Sequence, residues 1–181
     1  MSCLPPKVSA AWLPSMSTGM DPRVQVSAVR SALALAGWLA LSFAAAAVGG
    51  FLLPGEWYAR LQKPAWNPPN WIFGRVWTAL YTAMAIAAWL VWKRGGFAKQ
   101  RVALSLFLLQ LLFNALWSPC FFGLRNPALA FLDIMLLWLA LLATVIKFGK
   151  ARLLAGALLV PYLAWVTFAS ALNFALWRLN P

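Results

Sequence analysis

The chain has no histidine, only three acidic residues and only two cysteines. Each scarcity removes a class of chemistry. Without histidine there is no usual general base, no imidazole ligand for zinc or iron, and no imidazole proton relay. The three acids, Asp21, Glu56 and Asp133, are scattered along the sequence, so hydrolysis by paired carboxylates has no cast. Cys3 and Cys120 lie far apart, which argues against an internal disulfide and leaves no metal-binding spacing. Charged residues make up 10% of the 181 residues, too few to clothe a soluble globule.

What is present is apolar. Hydrophobic residues account for 64% of the chain, and the mean hydropathy is +0.77. A bilayer core of ~30 Å needs roughly 20 apolar residues per helix. Five such runs are found, at about 33–53, 71–92, 102–122, 127–147 and 153–177. The expected fold is an all-α membrane protein, a single bundle of five transmembrane helices covering residues 31–181. No inverted repeat of the kind seen in many transporters is found. Residues 1–30 carry Lys7, Arg23 and Arg30 against Asp21 and contain no secretory apolar run. They read as a disordered basic tail or an over-long start before Met16 or Met20, with a transit peptide as the alternative.

The basic residues set a topology. Lys7, Arg23, Arg30, Lys93, Arg94, Lys99, Arg101, Lys147, Lys150 and Arg152 fall on the side of the N-terminus, ten of the fifteen. Arg60, Lys63, Arg75, Arg125 and Arg178 fall on the other. The asymmetry predicts an N-terminus on the cytoplasm-like side. A net charge of +12 would suit nucleic acid, but these charges flank helices and form no patch interleaved with exposed aromatics. Membrane lipid with anionic headgroups is the expected partner, and nucleic acid is not.

The stretch LQKPAWNPPNWIFGRVWTALY, residues 61–81, is the most distinctive in the chain. Pro64, Pro68 and Pro69 fix φ and push their predecessors out of the helical region, which predicts a stiff, extended connection. Trp66 and Trp71 bracket these prolines with rings suited to the water–lipid boundary or to the lid of an apolar pocket. Behind this loop, Trp77, Tyr81, Met84 and Ala88 share one face of the second span. In the third span Gln110, Asn114, Trp117 and Phe121 share a face, placing two amides and an indole inward, because unpaired amides in hydrocarbon are costly. Spacing alone leaves interhelical glue and ligand orientation equally open for these amides. In the fifth span Pro161 should kink the helix, and Tyr162 follows it, with Trp165, Ala169 and Asn173 on one stripe. Asp133, an intramembrane carboxylate, is either a structural partner to another group such as Arg125 or a functional group. Together these residues predict a cavity for a flat, largely apolar ligand with a few polar edges, roofed by the proline-rich loop.

Three segments carry a resemblance to a known family: WYARLQKPAWNPPNWIFGRVWTALYTAMAIAAWLVWK, QLLFNALWSPCFFGLR and PYLAWVTFASALNFALWR. They resemble the tryptophan-rich sensory protein / translocator protein family, also called peripheral-type benzodiazepine receptors. The resemblance runs from about Leu33 to Arg178. It implies a membrane receptor, sensor or carrier that binds porphyrins (haem-type tetrapyrroles) and sterol-like compounds within the bundle, with no required cofactor and no metal. It further implies ligand contacts from Trp77, Gln110, Asn114, Trp165 and Ala169, with Trp57, Pro68 and Pro69 in the cap. Helical spacing adds Tyr81, Trp117 and Asn173 to the site, and Trp66 and Trp71 join the cap formed by the 54–70 loop. The family's sterol motif is matched by Leu172 and Arg178, but Phe174 replaces its tyrosine. Homodimers are common in the family. The resemblance also implies an alternative: slow, light- and oxygen-dependent porphyrin degradation with Trp77 and Trp165 as redox-active indoles. Proton-coupled transport through Asp133 is a third reading, weakened by the lack of a second titratable group at membrane depth.

Overall fold

Glycine and proline set most of the helix ends. The computed structural model describes residues 22–52 and 55–180. Helix α1 spans Pro22–Phe51, α2 Glu56–Arg60, α3 Asn70–Trp92, α4 Gly96–Ser118, α5 Pro127–Ala151 and α6 Leu153–Leu179, with a π-helical turn at Pro119–Gly123. Pro22 and Pro127 each sit at a helix start, where a missing N–H costs nothing. Asn126 caps α5 by accepting from the Leu129 amide at 3.0 Å. Between α3 and α4 the chain turns through Gly95 and Gly96, whose φ values of 108° and 59° belong to glycine.

Five helices are long and apolar enough to cross a membrane: Ser27–Phe51, Trp71–Trp92, Gly96–Gly123, Pro127–Ala151 and Leu153–Leu179. The five-span bundle expected from the apolar runs is thus the fold observed. Two boundaries differ. The first helix begins at Pro22, so residues 22–30 are helical and do not belong to a disordered tail. No glycine or further proline interrupts the chain between Pro22 and Gly37, and nothing there stops a helix propagating outward from the apolar run. Residues 1–21 lie outside the described residues. The other difference is α4, which starts at Gly96 but departs from helical geometry at Gln100 (φ −118°, ψ 28°). The apolar segment proper therefore starts close to the expected residue 102. The proline-rich connection also contains a short helix, α2, which the reading of an extended loop did not include.

The helices form a ring in the order α1, α3, α6, α5, α4, with α1 closing the circle against α3 and α4. Leu112, Leu132, Leu139 and Val160 are each more than half exposed on its outside. Such a surface suits lipid and not water. The buried polar residues Ser42, Gln110, Asn114, Asp133, Thr144, Ser170 and Asn173 face inward. Of the small residues in α1, Ala45 and Ala46 pack against the core, and Gly49 approaches Ser118 so closely that a Cβ would meet its Oγ at 3.0 Å. Gly50 has open space. Proline 161 stands inside α6, and the helix continues through it to Leu179.

The α5–α6 connection is one residue long. Arg152 is extended (φ −158°, ψ 118°), and its amide donates to the Phe148 carbonyl at 2.7 Å. So short a hinge forces the two backbones together at Gly149 and Gly156. A Cβ on Gly156 would lie 2.7 Å from the Gly149 Cα and 2.8 Å from its nitrogen.

At the opposite end of the bundle three segments meet: the proline-rich loop, the π turn and the end of α6. Trp57 and Tyr58 pack edge-on against Phe121, with ring centroids 5.7 and 6.2 Å apart. Asn180 accepts from the Gln62 amide at 2.9 Å and donates to the Gln62 carbonyl at 3.0 Å. The loop is therefore pinned to the end of α6 by a two-way bond between the Asn180 side-chain amide and the Gln62 backbone. Its middle is tightened by a turn in which the Asn67 amide donates to the Pro64 carbonyl at 3.0 Å.

Candidate functional site

The inward stripes of α3, α4 and α6 meet just beneath this loop. Tyr81 donates its hydroxyl proton to Asn114 Oδ1, and Asn114 Nδ2 donates to the Tyr162 oxygen at 2.8 Å. One amide thereby ties three helices together. All three side chains are buried, Tyr162 completely. Because the Tyr162 oxygen accepts from Asn114, its own proton is left for another acceptor.

An aromatic series runs from this chain toward the loop. Trp77 stacks on Tyr81 at 5.4 Å and meets Tyr162 edge-on at 6.1 Å. Trp165 stands edge-to-face with Trp77 at 6.5 Å and with Phe73 at 5.8 Å. Phe168 lies 5.6 Å from Trp165 and carries Trp66 of the loop on its other side at 5.7 Å. The series spans α3, α6 and the cap, in a place where polar atoms are few. Neither the Trp77 nor the Trp165 indole N–H donates to another described residue, so with the Tyr162 hydroxyl the region holds three donors without an acceptor among the described residues. Ala169, on the face of Trp165 one turn on, is half-buried and keeps that face narrow.

Most of the remaining residues expected in the site fall elsewhere. Gln110 is fully buried deeper in the bundle, where Nε2 reaches only Met84 Sδ at 4.0 Å and Oε1 has no partner among the described residues. Trp117 donates to Asn173 Oδ1 at 2.9 Å, and Asn173 donates to the Pro127 carbonyl at 2.8 Å. These two tie α4, α5 and α6 together and belong to a second aromatic group with Phe121, Phe122 and Tyr58. Trp57 belongs to that group as well. Of the cap residues, Trp66 lies over Phe168, Pro68 is half-buried and Pro69 exposed, whereas Trp71 faces outward from α3 beneath the Arg75 guanidinium at 5.0 Å. Asp133 is buried, its Oδ2 has no partner among the described residues, and it makes no salt bridge to Arg125. Arg125 itself is exposed in a left-handed turn (φ 52°). Glu56 pairs with Arg60 at 2.9 Å, although both side chains are so exposed that the pair contributes little. Phe73 and Phe168 were absent from the sequence-based site. Helical spacing could have found them, since Phe73 lies four residues before Trp77 and Phe168 three after Trp165.

Two surface cavities flank this region without entering it. One, about 640 Å³, runs along the outer face of α3 from Trp71 to Thr82. The other, about 460 Å³, lies between α2 and the π turn, lined by Glu56, Trp57, Arg60, Phe122 and Arg125.

Residues 32–178 match the TspO/MBR family. Among similar proteins, the tryptophan-rich sensory protein of Cereibacter sphaeroides is 45% identical over 143 residues, covering 79% of this chain and 89% of that protein. The human translocator protein is 45% identical over 138 residues, covering 74% and 82%, and protein CrtK of Rhodobacter capsulatus is 44% identical over 141 residues, covering 76% and 86%. Similarity of this extent, across all five spans and the loop that joins the first two, makes the chain an integral, multi-pass membrane protein of the TspO/MBR family.

Proposed function

We propose that this chain is a sensor or carrier that binds porphyrins and related flat, hydrophobic compounds among Trp77, Tyr162 and Trp165, beneath the 54–70 loop. The observation that carries this reading is the continuous aromatic series from Trp66 to Tyr81, which includes three donors without an acceptor among the described residues. Rings that stack on one another can exchange that contact for a macrocycle of similar thickness, and the free donors suit its polar edge. Trp77 and Trp165 meet edge-to-face at 6.5 Å, so a ligand that sits between them enters as the two rings part. Sterol binding draws no support from residues 172–178, since Leu172 is buried while Phe174 and Arg178 are exposed.

The test is protoporphyrin binding to purified protein in lipid nanodiscs. Trp77→Ala and Trp165→Ala together should weaken binding at least ~20-fold, on the order of 2 kcal/mol for lost ring contact and donors. Unchanged affinity would put the site elsewhere. Porphyrin degradation is a second reading, favoured by one observation: the two indoles stand edge-to-face at 6.5 Å, near enough to share an oxidising equivalent. Illuminating the bound protoporphyrin in air distinguishes the readings, because a carrier returns the pigment unaltered and a degrading enzyme does not.

We also propose that the N-terminal end of the bundle faces the cytoplasm-like compartment. Arg30, Lys93, Arg94, Lys99, Arg101, Lys147, Lys150 and Arg152 gather at that end, against Arg60, Lys63, Arg75, Arg125 and Arg178 at the other. Cysteines introduced at Lys99 and at Asn67 should react with impermeant reagents from opposite sides of the membrane. Labelling of both from one side would refute the arrangement.

A further inference from the structure

We propose that the outer face of α3 holds an anionic phospholipid, with its phosphate on Arg75 and one acyl chain along the groove from Gly74 to Thr82. The groove of about 640 Å³ is lined by Trp71, Gly74, Arg75, Thr78, Ala79 and Thr82. Their spacing places them on one continuous helical face, and all but the half-buried Thr82 are exposed.

The two ends of the groove differ in chemistry. At the loop end Arg75 lies over the Trp71 ring at 5.0 Å, and no described carboxylate pairs with it, since the one salt bridge among the described residues is Arg60–Glu56. Arg75 is five residues into α3, about 7.5 Å along the helix axis, a depth at which a guanidinium meets lipid phosphates. Stacking on the indole holds it in place. Below Arg75 the groove is apolar even though it contains two threonines. Thr78 donates its hydroxyl to the Gly74 carbonyl at 2.8 Å, and Thr82 donates to the Thr78 carbonyl at 2.9 Å. What they show the membrane is methyl groups, beside Ala79 and the bare backbone of Gly74. A cation at headgroup depth above a shallow hydrocarbon channel is complementary to an anionic lipid.

A second copy of the chain is the competing occupant, because small residues four apart also let helices approach closely. Charge decides against it. A two-fold axis through this face would bring Arg75 against its own copy at the same depth, in a medium that screens poorly.

The experiment is native mass spectrometry of the full chain released from nanodiscs of equimolar phosphatidylglycerol and phosphatidylcholine. The parent protein should retain one phosphatidylglycerol per chain in preference to phosphatidylcholine. Arg75→Gln should reduce that retention about five-fold, the scale of one basic residue at an anionic surface. Ala79→Phe, which fills the channel and keeps the charge, should reduce it as well. Arg178→Gln removes a charge from the same end of the bundle away from the groove, and should leave retention unchanged. Equal losses with Arg75→Gln and Arg178→Gln, or equal retention of the two lipids, would overturn the proposal. So would oxidative cross-linking of Ala79→Cys into a dimer, which would assign the face to a second copy.

Discussion

Asn114→Ala is expected to destabilise the bundle by about 2–3 kcal/mol in a detergent-unfolding titration. The amide serves two phenols at once, so its removal leaves a donor on Tyr81 and an acceptor on Tyr162 without partners in a dry interior. Interhelical hydrogen bonds in membranes average ~0.6 kcal/mol, with a maximum near 1.7, because the unfolded state in lipid also finds partners. Two bonds to buried groups, plus the space left behind, place this change above the figure for any single bond. Tyr81→Phe should cost about half as much. The double variant should be less destabilised than the sum of the two, since the second change removes a group the first has already stranded. Strict additivity would mean that the three side chains do not act as one unit. This geometry also weighs on the question that spacing left open. Asn114 already spends its oxygen and one amide proton on protein, so Trp77 and Trp165 are the better probes of ligand affinity.

Gly156→Ala should be about as damaging, and the position seven residues earlier should not be. A methyl on Gly156 would sit 2.7 Å from the Gly149 Cα and 3.1 Å from the Val145 carbonyl, both backbone atoms that cannot swing aside. The helices must part or the hinge at Arg152 must open. Overpacking of this kind costs about 1–3 kcal/mol. A Cβ on Gly149 meets nothing within 4 Å. Gly149→Ala should therefore be neutral, or stabilising by up to ~1 kcal/mol through helix propensity. Thermal unfolding of the two variants side by side reads the difference directly. Equal stabilities would show that the α5–α6 contact is looser than the distances describe.

The spans were legible because hydrocarbon imposes one rule on every residue that crosses it. Apolar runs of the required length named all five helices, and the inward placement of Gln110, Asn114 and Asn173 followed from the cost of an amide in lipid. Which amide meets which partner was not legible. Periodicity puts Asn114 and Trp117 on one stripe, but the ring order of the helices decides that Asn114 reaches α3 and α6 through two tyrosines while Trp117 turns to Asn173. The same limit explains Trp71. Its place beside Pro68 and Pro69 suggested a lid residue, yet α3 starts at Asn70, and from there a residue's direction is fixed by helical phase and not by nearness in sequence. The early start of α1 was hidden for another reason. Helix propagation continues past the edge of the bilayer wherever no breaker stops it, and hydropathy has no signal there.

The hydrogen-bond pair between Asn180 and Gln62 closes a circuit around most of the bundle, from residue 62 through the last four spans and back. Its weak point is its terminal link. Helix ends fray, and Asn180 holds the final turn of α6 by a donation to the Leu176 carbonyl at 2.9 Å. Release of the cap is then a local opening that undoes a few terminal hydrogen bonds at the membrane surface, while the ties among α3, α4 and α6 stay intact. On the function proposed above, the time a ligand spends under the loop is set by the melting of one helical turn, far cheaper than any rearrangement of the spans.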